Sequence, residues 1–263
     1  MNRWLVAFIL ILSFQPWAFA QGPLPPIDII FDIDWTTFYT IDPKDPAQQT
    51  SENVSVEGKT YRATDHLGKV IEILLKDHPE VRISFFSGGE RTRNEQLLKT
   101  VRLSDGRTLF DIAYKVLSKE HLTVVSQNEN LGFSERYKKV VEKHIPDWNP
   151  ARTILIDDQK NFAVKPLKAV SSLGHFNFQK RFNARAATEL YYPSDVHSWE
   201  MERNKALLWL AMLESSIQES RQSGTDFATA TENTWKMHAE DTVFLRKGRS
   251  HLEMRSCEKV FAF

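Results

Sequence analysis

One cysteine, Cys257, is all the chain possesses, so no intrachain disulfide can form and the fold must be held by its core. A net charge is missing as well: 34 Lys and Arg stand against 34 Asp and Glu, for a formal charge of +0. No bulk field therefore indicates nucleic acid or an anionic membrane surface. Beyond residue 20 no apolar run is long enough to span a bilayer, and there is neither an internal repeat nor a low-complexity tract. His66, His78, His121 and His144 are scattered without metal-ligand spacing, which leaves zinc without support. The Gly88-Gly89 pair lacks the longer glycine pattern of a dinucleotide fingerprint and reads as a turn at a strand end. The short basic cluster Arg246–Arg249 reads as surface, and Cys257, close to the C-terminus, as a buried or harmless thiol.

What is present is a folded chain. Of 263 residues, 41% are hydrophobic and 26% charged, with seventeen Phe, seven Trp and six Tyr, which excludes general disorder. That length holds one large α/β domain, or a domain with a small appendage. Residues 1–20 are a separate object. Arg3 gives a positive start, Trp4 to Phe14 is nearly all apolar, and Ala18-Phe19-Ala20 has the small-x-small form of a cleavage site. The expectation is an export signal, a mature chain from about Gln21, and a periplasmic or secreted protein with no membrane span after signal removal; an uncleaved anchor is the alternative.

Strands and helices then alternate. Ile27 to Ile33 reads as a buried strand, Val54 to Tyr61 as a small hairpin around Glu57-Gly58, and His66 to Lys76 as an amphipathic helix with Leu67, Val70, Ile71, Leu74 and Leu75 on one face. Val81 to Phe86 is a second core strand. Helices are expected over Glu90–Leu98, Thr108–Leu117 and Ser134–His144, with a strand candidate at Leu122–Ser126 and a strong buried strand at Arg152–Ile156. A last short strand is expected within Ala169–Phe178, a long helix over Trp199–Glu219, a polar turn-like stretch at 220–235, and one more helix or strand in the tail. This alternation indicates α/β architecture: a three-layer, Rossmann-like parallel sheet. The division expected is a catalytic core over 21–189, with a β-hairpin flap at about 37–65, and a helical C-terminal extension over 190–263.

Three of the strands end in polar clusters: Asp32 and Asp34, Ser87, and Asp157-Asp158. An ordinary acidic turn explains any one of them. Together they point to the end of the sheet where parallel α/β proteins bind ligands. Like charges this close oppose each other's ionisation, whereas a hard cation beside a carboxylate nucleophile uses both.

The ordered set resembles the haloacid-dehalogenase-like (HAD-like) phosphohydrolases. Their Asp-x-Asp-x-Thr motif is matched by Asp32-Ile33-Asp34-Trp35-Thr36, their strand-terminal Ser or Thr by Ser87, their lysine by Lys139 or Lys138, and their strand ending in acids by Asp157-Asp158. The Asp-Asp-Gln form of the last motif and the short β insert look most like the C-terminal-domain and NLI-interacting-factor branch, which acts on phosphoproteins. The resemblance implies Asp32 as nucleophile and Asp34 as acid and base. It implies Mg²⁺ held by Asp32, the Asp34 carbonyl, Asp157 and Asp158, and phosphate bound by Ser87, Gly88 and Lys139. Thr36 would tighten the turn. Trp35 stands where the family usually has Gly, and with Arg91 and Arg93 it is a candidate substrate contact. The expectation is an exported Mg²⁺-dependent phosphomonoesterase acting on a phosphoprotein or a small phosphate ester. The rival is an inactive secreted binding module on the same scaffold.

Overall fold

Strand β1 (Ile27–Phe31) lies at the centre of a five-stranded sheet whose order explains everything placed at its edge. The computed structural model describes residues 24–173, 181–185, 192–239 and 241–258. The expected signal at 1–20, the Cys257 side chain and the end of the strand expected near Phe178 lie outside them. After β1 come β2 (Phe38–Thr40), β3 (Val54–Val56) and β4 (Lys59–Ala63), then α1 (Leu67–Asp77), β5 (Val81–Phe86), α2 (Arg91–Thr100), the single turn α3 (Leu109–Ile112) and β6 (Lys115–Leu117). Next are β7 (Thr123–Val124), the turn α4 (Phe133–Arg136), β8 (Tyr137–Lys138), β9 (Thr153–Asp157) and β10 (Lys168–Ser171). Four helices close the chain: α5 (Val196–Arg203), α6 (Lys205–Ser223), α7 (Phe227–His238) and α8 (Thr242–Glu258). The central sheet runs β10-β9-β1-β5-β6, all parallel, while β2-β4-β3 form a separate antiparallel flap. This is an α/β fold with a central parallel five-stranded sheet and a run of C-terminal helices.

The two-residue period of a strand sorts the side chains. Ile27, Ile29 and Phe31 face the larger apolar cluster, with Ile83, Phe85, Ile154 and Ile156 beside them. Ile30, Phe86 and Leu155 face a smaller cluster with Val141, Ile145 and Leu167. Asp32 and Asp157 share the parity of Ile30 and Leu155, so the acids emerge on the thinner side, which short 3-10 turns cover. Asp28, also on that side and 1% exposed, is satisfied by a bidentate ion pair with Arg82, its register partner on β5.

Five sequence expectations change. Thr108–Leu117 is not one helix: α3 ends at Ile112, Ala113 is extended, and Tyr114 donates its N–H to Ile83, starting β6 on the edge of the sheet. Leu122–Ser126 contributes no core strand, because Thr123–Val124 pair antiparallel with Tyr137–Lys138 in a small ribbon and Val124 and Val125 stay exposed. The helix expected over Ser134–His144 breaks after Arg136, since the chain must run extended to form β8. In the C-terminal region the long helix is divided at Asn204, and the stretch from Phe227, read as turn-like, is helix α7 with Asp226 as its N-cap. Among the described residues no helix is long and apolar enough to cross a membrane.

Helix α6 is buried on nearly every side from Lys205 to Leu213, as a helix wrapped by neighbours must be. Its Trp209 ring lies 5.4 Å from Phe31 of β1, so the C-terminal helices complete the larger cluster. Glu214 meets His78, at the end of α1, through a buried 2.9 Å contact. Helix α8 crosses α6 at Gly248, where a Cβ would lie 1.9 Å from the Leu207 carbonyl oxygen. Helix propensity alone says that Gly248→Ala stabilises by about 1 kcal/mol. The close approach of two backbones costs more, about 1–3 kcal/mol of overpacking. The expected outcome of urea unfolding is a net loss of stability in Gly248→Ala.

Candidate active site

Lys139 joins the two acidic strand ends. The β7–β8 ribbon delivers it: the residue follows β8 directly, its N–H donates to the Phe162 carbonyl, and its backbone bridges to Ala163. The side chain is buried, and Nζ donates to Asp32 Oδ1 and to Asp157 Oδ2, both at 2.6 Å. The rings of Phe162 and Phe86 lie 5.1 and 5.7 Å from the ammonium. Lys138, the other lysine of the pair, points to the carbonyls of Ser134 and Asn161. The ambiguity left by the sequence is thus resolved geometrically: only Lys139 touches the acids. It does so from an extended segment, not from the helix expected over Ser134–His144.

Burial is the largest influence on the Asp32 carboxyl and pushes it well above the usual range; Lys139 opposes this, and Asp157, Asp34 and Asp158 add to it. Burial raises Asp157 too, again against Lys139. The same burial pushes Lys139 down, but Asp157 and Asp32 together outweigh it and hold the ammonium above the ordinary lysine value. The lysine therefore stays charged, and one cation is shared by Asp32 and Asp157. Asp32, Asp157 and Asp158 each offer an oxygen within 4.8 Å of the others, an all-oxygen donor set of the kind a hard divalent cation takes. Asp32 Oδ1 and Asp157 Oδ2 are engaged by Lys139, and Asp157 Oδ1 accepts from the Gln159 N–H. Asp32 Oδ2 has no hydrogen-bond partner among the described residues.

Asp34 faces a different set of groups. Its Oδ2 accepts from Ser87 Oγ at 2.7 Å, and Arg93 grips both oxygens at 2.8 and 2.6 Å. Ser87 Oγ in turn accepts from the Gly89 N–H at 2.9 Å. Burial pushes the Arg93 guanidinium down, while the bond and charge of Asp34 push it further up. Arg93 reaches Asp34 by passing directly over Gly89, where a Cβ would lie 1.7 Å from its Nη2. Gly88 packs against Phe133. Arg91, the other arginine singled out from the sequence, turns outward to Glu95 and contributes nothing to this cluster.

The loop between the two acids is held from several directions. Thr37 Oγ1, not Thr36, bonds back to the Asp32 carbonyl and tightens the turn. Thr36 Oγ1 instead accepts from the Asp158 N–H and donates to Ser172 Oγ, joining the first acidic loop to the last. Trp35 adopts φ 59°, a left-handed conformation that costs a bulky residue about 1–3 kcal/mol. Its indole packs edge-on to Tyr39 beside Ile41 and Trp199. Lys205, which sequence reasoning passed over as an ordinary helix residue, reaches this loop from α6. No pattern near residue 205 announces it; only the fold brings it here.

Lys139→Met leaves Asp32 and Asp157 face to face without a cation, and in metal-free buffer at neutral pH a loss of about 3–5 kcal/mol is expected. Both carboxyls already lie above the aspartate value of 3.8, and the variant raises them further. Between the unfolded and the raised folded values the native state holds protons that the unfolded chain has released. Stability therefore falls as pH rises through that window, and the deficit against the parent narrows toward about pH 4. Urea unfolding at several pH values measures both.

No protein-family profile matches the chain, and no curated protein matches it in sequence. Several solved structures are similar in part, two of them as follows. One is the fission yeast RNA polymerase II CTD phosphatase Fcp1, in a variant bound to beryllium fluoride, at 14% identity and a TM-score of 0.39 over 81% of this chain and 70% of that one. The other is Fcp1 described as an essential RNA polymerase II CTD phosphatase, at 13% identity and a TM-score of 0.39 with the same coverage.

Proposed function

We propose that the protein is a phosphomonoesterase that works through an aspartyl-phosphate on Asp32. The observation that carries this reading is the division of labour around two acids only one residue apart. Lys139 binds Oδ1 of Asp32 and leaves Oδ2 without a partner, while Asp34 sits on Ser87 and Arg93. A carboxylate fixed by one oxygen and open at the other suits in-line attack on phosphorus. Asp32 Oδ2 forms the bond to phosphorus as the bond to the leaving oxygen breaks, and Asp34 gives that oxygen a proton. In the second half Asp34 takes a proton from water, which attacks phosphorus and releases phosphate and free Asp32.

Arg93 has to act before Asp34 can. A bidentate guanidinium occupies both oxygens of Asp34 and keeps them from the leaving oxygen. A phosphoryl group offers the same fork-shaped partner with more charge, so substrate draws Arg93 from Asp34 and frees those oxygens. Ser87 and Gly88 would supply donors to the phosphoryl oxygens. Asp32, Asp157 and Asp158 would hold Mg²⁺, and the ion when bound supplies neutralising charge for the approach of a dianion.

The location follows from residues 1–20, read as an export signal, which would place the activity in the periplasm or outside the cell. The substrate is a phosphoprotein or a small phosphate ester. Asp34 remains about one-third exposed beside a flap of only three short strands, which favours access for a bulky substrate.

Hydrolysis of p-nitrophenyl phosphate and of a phosphopeptide, with Mg²⁺ and with EDTA, tests the reading. Asp32→Asn is expected to lose at least ~10³-fold in kcat, and beryllofluoride with Mg²⁺ is expected to protect the parent but not this variant against thermal unfolding. Full Mg²⁺-dependent turnover in Asp32→Asn overturns the assignment. Arg93→Ala should raise KM for phosphate esters about tenfold or more. An unchanged KM would remove Arg93 from substrate binding.

A further inference from the structure

Lys205 is fully buried, and its ammonium is hydrogen-bonded to a backbone carbonyl. Its Nζ donates 3.0 Å to the backbone carbonyl of Trp35. Around it stand the rings of Tyr39 and Trp209, with centroids 4.8 and 5.6 Å from the ammonium. A buried lysine is costly, and a hydrophobic residue of the same length would fill the place at less cost if packing were all that was needed. Burial lowers its pKa to about 8, against the fields of Glu202, Asp158 and Asp32, so the cost is visible on the group itself. Its acceptor belongs to the residue with the least favourable backbone in the acidic loop. The Trp35 N–H bonds to the Phe38 carbonyl and its carbonyl to Lys205, so both polar groups of this left-handed residue are tied. On one side lies Asp34, on the other Thr36 with its bond to the Asp158 N–H.

We propose that Lys205 is a positioning residue for the phosphoryl-transfer site: from the C-terminal helix α6 it clamps the Trp35 carbonyl and holds the Asp32–Thr36 loop in the one conformation that presents Asp34 to Ser87 and the substrate. The proposal rests on the phosphomonoesterase reading for its catalytic consequence, but not for the clamp. Glycine at position 35 would take the left-handed conformation without help. The clamp therefore matters because the residue there is tryptophan. The C-terminal extension accordingly contributes to the site as well as to the core.

The test is a double-mutant cycle on the full chain with p-nitrophenyl phosphate and Mg²⁺. Lys205→Met, which keeps length and fills the same apolar cage, is expected to lower kcat at least ~10-fold while KM changes less than ~2-fold. Placed in a Trp35→Gly background, the same Lys205→Met change is expected to cost less than ~3-fold of that background's own kcat, because the pair is coupled through one peptide. Equal losses in both backgrounds would mean that Lys205 acts by packing or by its charge alone, and the proposal falls. Should Lys205→Met fail to fold, Lys205→Gln takes its place in both backgrounds and is judged by the same comparison. Hydrogen exchange of the Trp35 and Asp158 amides gives a readout independent of turnover. Both amides are expected to exchange at least ~10-fold faster in Lys205→Met than in the parent. Unchanged exchange overturns the clamp even in an active enzyme. Faster exchange in a chain that hydrolyses no phosphate ester supports the clamp and counts only against the phosphomonoesterase reading.

Discussion

The contact on which the site depends is the buried ammonium of Lys139 between Asp32 and Asp157. Two carboxylates at the ends of neighbouring parallel strands, both almost fully buried, would otherwise be driven to protonate or to separate the strands. The lysine removes that conflict and imposes geometry as well. It occupies one oxygen of each acid and leaves the other oxygen of Asp32 without a hydrogen-bond partner among the described residues. Asp158 adds a third carboxylate beside them, and the three together could hold a metal ion.

The second constraint is that Asp32 and Asp34 must behave differently although only Ile33 separates them. The turn after β1 does this by sending their side chains to different neighbours. Asp32 keeps the parity of the strand and enters the lysine pocket; Asp34, past the turn, meets a serine and an arginine supplied by β5 and α2. Gly89 permits the arginine to cross the backbone, so the small residues after Ser87 serve the position of a side chain as much as the turn itself. Pairing with Arg93 and pairing with Lys139 also differ in exposure. The arginine is partly exposed, while the lysine is buried beside Phe86 and Phe162.

The legible parts of the sequence were those where local pattern and tertiary environment agree. Strands β1, β5 and β9 are apolar runs with polar ends, buried on both faces, and α1 carries its buried residues at helical spacing. Where the two disagree, the sequence misled. Leu109, Ile112, Ala113 and Val116 have the spacing of a helix, but a free sheet edge at Ile83–Phe86 captures Tyr114–Leu117 instead. Val124 and Val125 look like core and remain exposed, because their strand belongs to the ribbon that carries Lys139. Helix α7 escaped notice since its threonines and polar residues mimic a loop; its stability comes from an Asp226 cap and from burial of Phe227, Ala228, Ala230 and Thr231 against the rest. Lys205 could not be read at all, for its acceptor lies 170 residues away in the chain.

That distance bears on how the C-terminal helices relate to the sheet. A segment that only shielded the core would need apolar residues, and Trp209, Leu210 and Leu213 supply them. A charged residue at the start of the same helix, buried against aromatic rings and directed at a backbone carbonyl of the acidic loop, has no value for shielding. Its position is fixed by Trp209 four residues on, which packs against Phe31, the strand residue immediately before Asp32. Displacement of α6 would thus move the floor beneath Asp32 and the clamp beside Asp34 together. A bulky residue can stand at the left-handed position of the loop because the helix that braces the core also holds that loop in shape.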